Sequence, residues 1–454
     1  MTSRLRRGVA LLGGLFSAVG IAGFAGLLPV APLSALLALL GGVVMLHRTV
    51  LVNDPQRIPV VMLHSVVGFR PERPKNFSIW CAPRQFEGYL KYLRWRGYTT
   101  ITLHELHAHL AEGAPLPARA IVLTFDDGYL DNWVYVAPLL RKYGFSGTVF
   151  MPTDFIQPGE TPRASLEDVW AGRLREEELS CYGYLNRAEL RRLAEEGVLD
   201  IQSHGQSHTW LPCSGRVLRF HHPGVGLRDL RWMWWNRHPE RKPFWFEELS
   251  PEGVPWGAPV YESRLALAGP AAIPDPRLEE LLINEVETSG GRRMFDTSDW
   301  EARLRRVVDE HPSLAPQVED AASFRARLSG ELTRSREIIE EITGRPVRFM
   351  CWPNGGTCSE AFEALDSCGY LAATLPSRMK QPRNFHGTDA ARIGRVSASS
   401  FFRGSRRVWP WVLSFALKIE RNRGNGYMEL PIKAIWLYRR FVKPSGATPP
   451  GVGS

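Results

Sequence analysis

The sequence predicts an α/β fold built on a parallel sheet or barrel, and three observations carry that prediction. The first is Ala120–Phe125, a continuous apolar run of strand length with β-branched residues at its centre, as in a strand covered on both faces. The second is the alternation of such runs with helical patterns closed by glycine. The third is that polar residues gather where the runs end, at His64, Asp126-Asp127, His204 and residues 352–356. In barrels and open sheets alike, sites form at the carboxyl ends of the strands.

Taken in order, residues 58–63 are the first strand, where Pro59 is tolerable at the start. A helix over 84–96 follows, closed by Gly97. Strand Ala120–Phe125 precedes a helix over Ala137–Tyr143, with Pro138 in its first turn and Gly144 closing it. After a strand at 148–151, Asn186 and Glu189 read as a capping box for a helix that stops at Gly197. Residues 198–203 are the next strand. A helix over 332–343 leads into strand 347–351, a helix over 359–368 leads into 370–375, and 391–396 is the last strand. The rhythm fails between 209 and 331. That region is rich in tryptophan and proline and reads as an insertion, because disordered segments are poor in aromatics.

A chain of 454 residues allows one large domain with extras, or two to three ordinary ones. Its six cysteines show no C-x-x-C pair and read as buried thiols rather than a disulfide or zinc-thiolate framework. The net charge of +9 sits at the ends, in Arg4, Arg6 and Arg7 and in ten Lys/Arg between 403 and 443. The middle is mildly acidic, which argues against a nucleic-acid-binding body.

Residues 8–46 contain no charged side chain. As one helix they would reach about 58 Å, roughly twice the hydrocarbon thickness of a bilayer. Pro29 and Pro32 divide them, and we read residues 1–52 as a membrane hairpin with Arg48 snorkelling to the interface. Positive charges flank both outer ends, so both ends, and with them the catalytic domain, are expected on the cytoplasmic side of the inner membrane. A signal peptide ending near 22–26 is the rival reading. The organisation expected is a hairpin at 1–52, a first barrel part at 53–208, an insertion at 209–331 and a second barrel part at 332–402. A basic, aromatic segment at 403–454 is expected to lie at a membrane interface.

His204 and His208, four residues apart, share a face if the chain turns between them. Taken alone, two such histidines are more often polar loop residues. With Asp127 they complete two nitrogen ligands and one oxygen ligand, a set suited to Zn²⁺ with open positions. Such a metal lowers the pKa of bound water and polarises a carbonyl, and Asp126 beside it can act as base.

The motifs TFDDG and SHGQSH, preceded by VVMLHS and followed by CWPNGG, resemble the polysaccharide deacetylase superfamily (NodB homology, carbohydrate esterase family four). The likeness covers about residues 58–208 and 332–396. It implies a distorted (β/α) barrel that removes N-acetyl groups from sugars with the help of a divalent metal. Carried over by position, Asp126 is the catalytic base, and Asp127, His204 and His208 are the metal ligands. His64 is the general acid, and the backbone N–H of Asn354 helps hold the oxyanion. Three departures stand out. Gly205 follows the first histidine where Ser or Thr is usual, Cys351 stands where some members have an arginine that orients the base, and no histidine lies on 391–396. The expected function is metal-dependent hydrolysis of an N-acyl group from a membrane- or lipid-linked glycan. Deacetylation of exported polysaccharide or peptidoglycan, and a non-catalytic carbohydrate-binding barrel, are the alternatives.

Overall fold

The computed structural model describes residues 34, 38–42, 57–68, 80–226, 230–248, 253–376, 379–402 and 405–441. Nine strands form one sheet, and its recorded pairings are parallel. Its main path runs Arg392–Ile393, Ala372–Thr374, Phe349–Met350, Leu199–Ser203, Gly147–Met151, Ala120–Phe125, Val60–Leu63 and Val396–Ser397, with Thr99–Thr100 joining Ala120–Phe125. The strands at the two ends of this path are separated in sequence by Gly394 and Arg395 alone. Three residue steps span about 10 Å at most. The sheet therefore curls until its edges nearly meet, giving an unclosed (β/α) barrel.

Strand Ala120–Phe125 explains its own composition. All six residues are buried, and alternate side chains enter two separate cores. Ala120 and Val122 point into the barrel with Val60, Phe150, Phe349 and Ile393. Ile121, Leu123 and Phe125 point outward under the helices. The helix Leu103–Glu112, capped by Thr102 and Glu105, packs Leu103, Leu106 and Leu110 against the inner group. Its Thr-x-x-Glu signature is a legible helix start.

Most elements fall where the sequence put them, including Pro83–Trp95, Ala137–Tyr143 and the capping box of Arg187–Glu196. Two differ. The helix expected at 332–343 begins at Ala321, capped by Asp320, so it reaches back into the stretch read as insertion. The single last strand at 391–396 is two short strands on opposite edges of the sheet. Gly394 makes the crossing, since a Cβ there would meet the Pro382 carbonyl oxygen at 2.2 Å.

Residues 209–320 build a long hairpin of Trp210–Phe220 with Pro259–Leu265, and the helices Pro276–Thr288 and Trp300–Glu310. Phe220, Leu278, Leu282 and Leu304 form a core of their own there, whereas Trp234 and Trp235 pack into the main core.

No helix among the described residues is long and apolar enough to cross a membrane. The expected hairpin lies outside the described residues apart from 34 and 38–42. In the basic C-terminal segment, Val408–Asn422 packs along Pro83–Trp95. Trp411 and Phe415 are buried there, with Phe415 stacked on Tyr89 at 4.3 Å, so these two aromatics belong to the core rather than to an interface. Trp409, Leu413, Leu430, Trp436 and Leu437 remain exposed.

Candidate metal and catalytic site

Where Ala120–Phe125 ends, the alternation continues for one more residue. Asp126 follows Val122 and Thr124 on the inward face and lies buried. Asp127 then departs with φ 74°, in the left-handed region that costs a non-glycine residue free energy. Gly128 continues the turn at φ 61°, a left-handed conformation that glycine adopts without a steric penalty. Among the described residues the only other non-glycine positive φ values belong to His208 and Asn354. All three were candidates from the sequence, and such strain collects at functional sites.

The turn brings Asp127 to the two histidines. His204 Nε2 and His208 Nε2 each lie 3.2 Å from Asp127 Oδ1, and their rings are 5.0 Å apart. His204 Nδ1 meets the Cys351 carbonyl oxygen at 2.7 Å, which fixes the tautomer that leaves Nε2 free to ligate. His208 Nε2 is buried without a hydrogen-bond partner among the described residues. Burial works against the charge on Asp127, but the His204 and His208 imidazoles beside it hold its carboxyl well below the usual range. The imidazoles shift oppositely. Burial lowers His208, while Cys351 and Asp127 outweigh burial and raise His204. The donor set, two imidazole nitrogens and a carboxylate with an orphaned Nε2, suits a divalent cation.

Asp126, His204 and Cys351 also lie within ligand distance of one another. A guanidinium already serves that group, which makes it a poor cation site. Arg395 Nη1 and Nη2 donate to Asp126 Oδ1 and Oδ2 at 2.6 and 2.9 Å, and Nη2 lies 3.2 Å from Cys351 Sγ. Arg395 sits in the two-residue link between the two edge strands, over the Phe150 ring, with Thr124 Oγ1 at 3.3 Å. Burial opposes the charge on Asp126, but Arg395, then His64, hold its carboxyl below the usual range. The sequence reading missed Arg395. It looked for the orienting arginine at position 351, and the link of the last strand supplies it instead. Local pattern gave no signal for it, because Arg395 falls inside the stretch 391–396 that reads as one strand.

His64 Nε2 lies 3.8 Å from Asp126 Oδ2, too far for a hydrogen bond but on the same side of the mouth. The residues after it are tied down by Asp131, a buried carboxyl that accepts from Ser65 Oγ and, at 2.9 Å, from the Val66 N–H. Burial pushes Asp131 up to about 7. In the 352–356 turn, the N–H groups of Gly355 and Gly356 bond to Trp352 and Pro353. That of Asn354 makes no such backbone bond among the described residues. Pro353 and Gly356 line one cleft with His208, Leu265 and Leu267.

The insertion reaches the same place. Lys242, itself buried, donates to Asp154 Oδ2 at 2.7 Å and to the Ser207 carbonyl at 2.9 Å, beside His208. Trp235 stands edge-on to Phe155 at 5.1 Å and lies 6.5 Å from the His208 ring.

Residues 113–223 match the family model described as polysaccharide deacetylase. That stretch contains Asp126, Asp127, His204 and His208, but not His64, Asn354 or Arg395. YxkH of Bacillus subtilis (strain 168), designated a polysaccharide deacetylase, is 33% identical over 99 residues, 22% of this chain and 33% of that one. Poly-beta-1,6-N-acetyl-D-glucosamine N-deacetylase of Escherichia coli (strain K12) is 38% identical over 52 residues, 12% of this chain and 8% of that one. The chain thus spans about a third or less of the length of these two relatives. Among solved structures, a de-N-acetylase from Aggregatibacter actinomycetemcomitans aligns with a TM-score of 0.44 at 16% identity, over 75% of this chain and 94% of that one. The family match and the two relatives point to the polysaccharide deacetylase superfamily.

Proposed function

We propose that this chain, whose residues 113–223 match the polysaccharide deacetylase family, hydrolyses an N-acyl group, N-acetyl above all, from a sugar. The observation that carries the reading is the convergence of Asp127, His204 and His208 beside a second carboxylate, Asp126, held ionised by its own arginine. Asp127, His204 and His208 would hold a divalent ion, with Zn²⁺ favoured by the two imidazoles. When bound, it supplies Lewis-acid polarisation and makes water a stronger nucleophile. Asp126 takes the proton from the attacking water, and the Arg395 pairing keeps the carboxylate ready to do so. The Asn354 N–H donates to the oxygen of the carbonyl under attack. As the C–N bond breaks, His64 gives a proton to the departing amine, and the acid and the free amino sugar leave. The test is acetate release from N-acetylglucosamine oligomers. It is expected to stop with a chelator and return on adding Zn²⁺. Release that ignores the chelator overturns the metal assignment, and no release by metal-loaded protein overturns the activity.

The membrane reading rests on residues 8–46 and on the exposed Leu430, Trp436 and Leu437 near Lys433 and Arg421. Aromatic and apolar side chains beside cations suit a bilayer interface with anionic lipid. We therefore propose a tethered enzyme with its barrel on the cytoplasmic side of the inner membrane and a lipid-linked glycan as substrate. A reporter joined after Lys443, active on only one side, is expected to work in the cytoplasm. Activity on the outer side instead would favour exported polysaccharide or peptidoglycan as substrate.

A further inference from the structure

The loop 204–208 carries both imidazoles of the candidate metal site, and its buried backbone groups need partners. The Gly205 N–H donates to Ser203 Oγ at 3.1 Å. The Gly205 and Gln206 carbonyls accept from the N–H groups of Thr153 and Asp154, at 3.2 and 3.1 Å. Those partners lie at the ends of the neighbouring strands Leu199–Ser203 and Gly147–Met151. Ser207 is held instead by two charged side chains from further away. Its N–H donates to Glu331 Oε2 at 3.2 Å, on the helix Ala321–Thr343. Its carbonyl accepts from Lys242 Nζ at 2.9 Å, in the helical turn Pro239–Phe244 of the insertion.

The Ser207 carbonyl belongs to the peptide that ends in the His208 nitrogen. Lys242 therefore fixes the plane about which His208 turns to reach φ 43°. That conformation costs a non-glycine residue free energy and persists only where its surroundings impose it. A charge-assisted hydrogen bond is strong enough to do so. Lys242 is itself firmly placed. It is buried, pairs with Asp154 Oδ2 at 2.7 Å and stands over the Phe155 ring at 5.8 Å. That ring is edge-on to His208 at 5.9 Å. The carbonyl of the next residue, Pro243, accepts from Gln157 Nε2 at 3.1 Å, which ties the turn to the barrel.

We infer that Lys242 is a positioning residue for the metal site. By gripping the Ser207 carbonyl it holds His208 Nε2 against Asp127, so the insertion must be docked for the site to keep its ion. The inference rests on the metal assignment above and adds to it a residue outside the ligand set. Charge alone predicts the opposite sign. An ammonium repels a nearby dication, so a Lys242 that acted only through its charge would weaken metal binding, and its removal would tighten it.

The test titrates the metal-stripped full chain with Zn²⁺ against a chromophoric chelator, and follows Co²⁺ uptake by visible absorption. Lys242→Met is expected to bind Zn²⁺ about ten- to a hundredfold more weakly than the parent and to alter the Co²⁺ band. Glu331→Ala and Glu331→Gln probe the other end of the same peptide. Both remove the charge, but only Gln keeps an oxygen for the Ser207 N–H, so Glu331→Ala should bind Zn²⁺ about three- to tenfold more weakly than Glu331→Gln. Zn²⁺ affinity unchanged or tighter in folded Lys242→Met overturns the inference and leaves the metal assignment standing. Should Lys242→Met fail to fold, equal affinities of the two Glu331 variants overturn it. A parent protein that takes up neither ion overturns the metal assignment and this inference together.

Discussion

Asp126→Asn is expected to lower turnover about 10²- to 10⁴-fold while the protein keeps its metal. Asp127→Ala is expected to lose metal and activity together, because Asp127 is the oxygen on which His204 and His208 converge. The two carboxylates are neighbours in sequence, yet the positive φ of Asp127 sends them to different partners. His64→Ala should resemble Asp126→Asn, with a large fall in turnover and full metal content. Metal analysis beside acetate release on the three variants is the measurement. Equal metal loss in all three would end the division of labour, and full turnover in His64→Ala would make that histidine structural.

Arg395→Met is expected to act on stability and on pH dependence at once. Removing one partner of a buried ion pair costs about 3–5 kcal/mol, since the other charge is left uncompensated. In the parent protein the Asp126 carboxyl is held below its unfolded value of about 3.9. Its contribution to stability is therefore present above that value and lost as pH falls through the folded one. Without Arg395, burial dominates and the folded value rises above the unfolded one. The variant then loses stability as pH rises between the two, and the acid limb of its rate profile moves to higher pH. Melting temperature and initial rate across pH 4–8 report both. An unmoved acid limb would show that Arg395 does not tune the base.

The site residues on strand ends were legible because a continuous apolar run admits few readings, and its abrupt end in Asp126-Asp127-Gly128 marks the mouth of the sheet. His204 and His208 followed from the same logic at the end of Leu199–Ser203. Arg395 was not legible, because 391–396 reads as one strand when only local pattern is considered. That it supplies both edges of the sheet is a property of the curled sheet, and no window of six residues contains it. Trp411 and Phe415 misled for a related reason. Aromatics among cations suit both a bilayer and a barrel helix, and only packing against Pro83–Trp95 separates the two. The insertion gave no period because its core is assembled from a bulged hairpin and two separate helices.

The Asp126–Arg395 pair spans 269 positions of the chain. During synthesis the carboxylate therefore emerges long before its cation. Until the final strands dock, Asp126 lacks the partner that keeps it ionised when buried. On the proposed mechanism, a chain truncated before Arg395 keeps Asp127, His204 and His208 and lacks the cation beside its base. On that mechanism, joining the two edges of the sheet is therefore also what readies Asp126 for proton transfer.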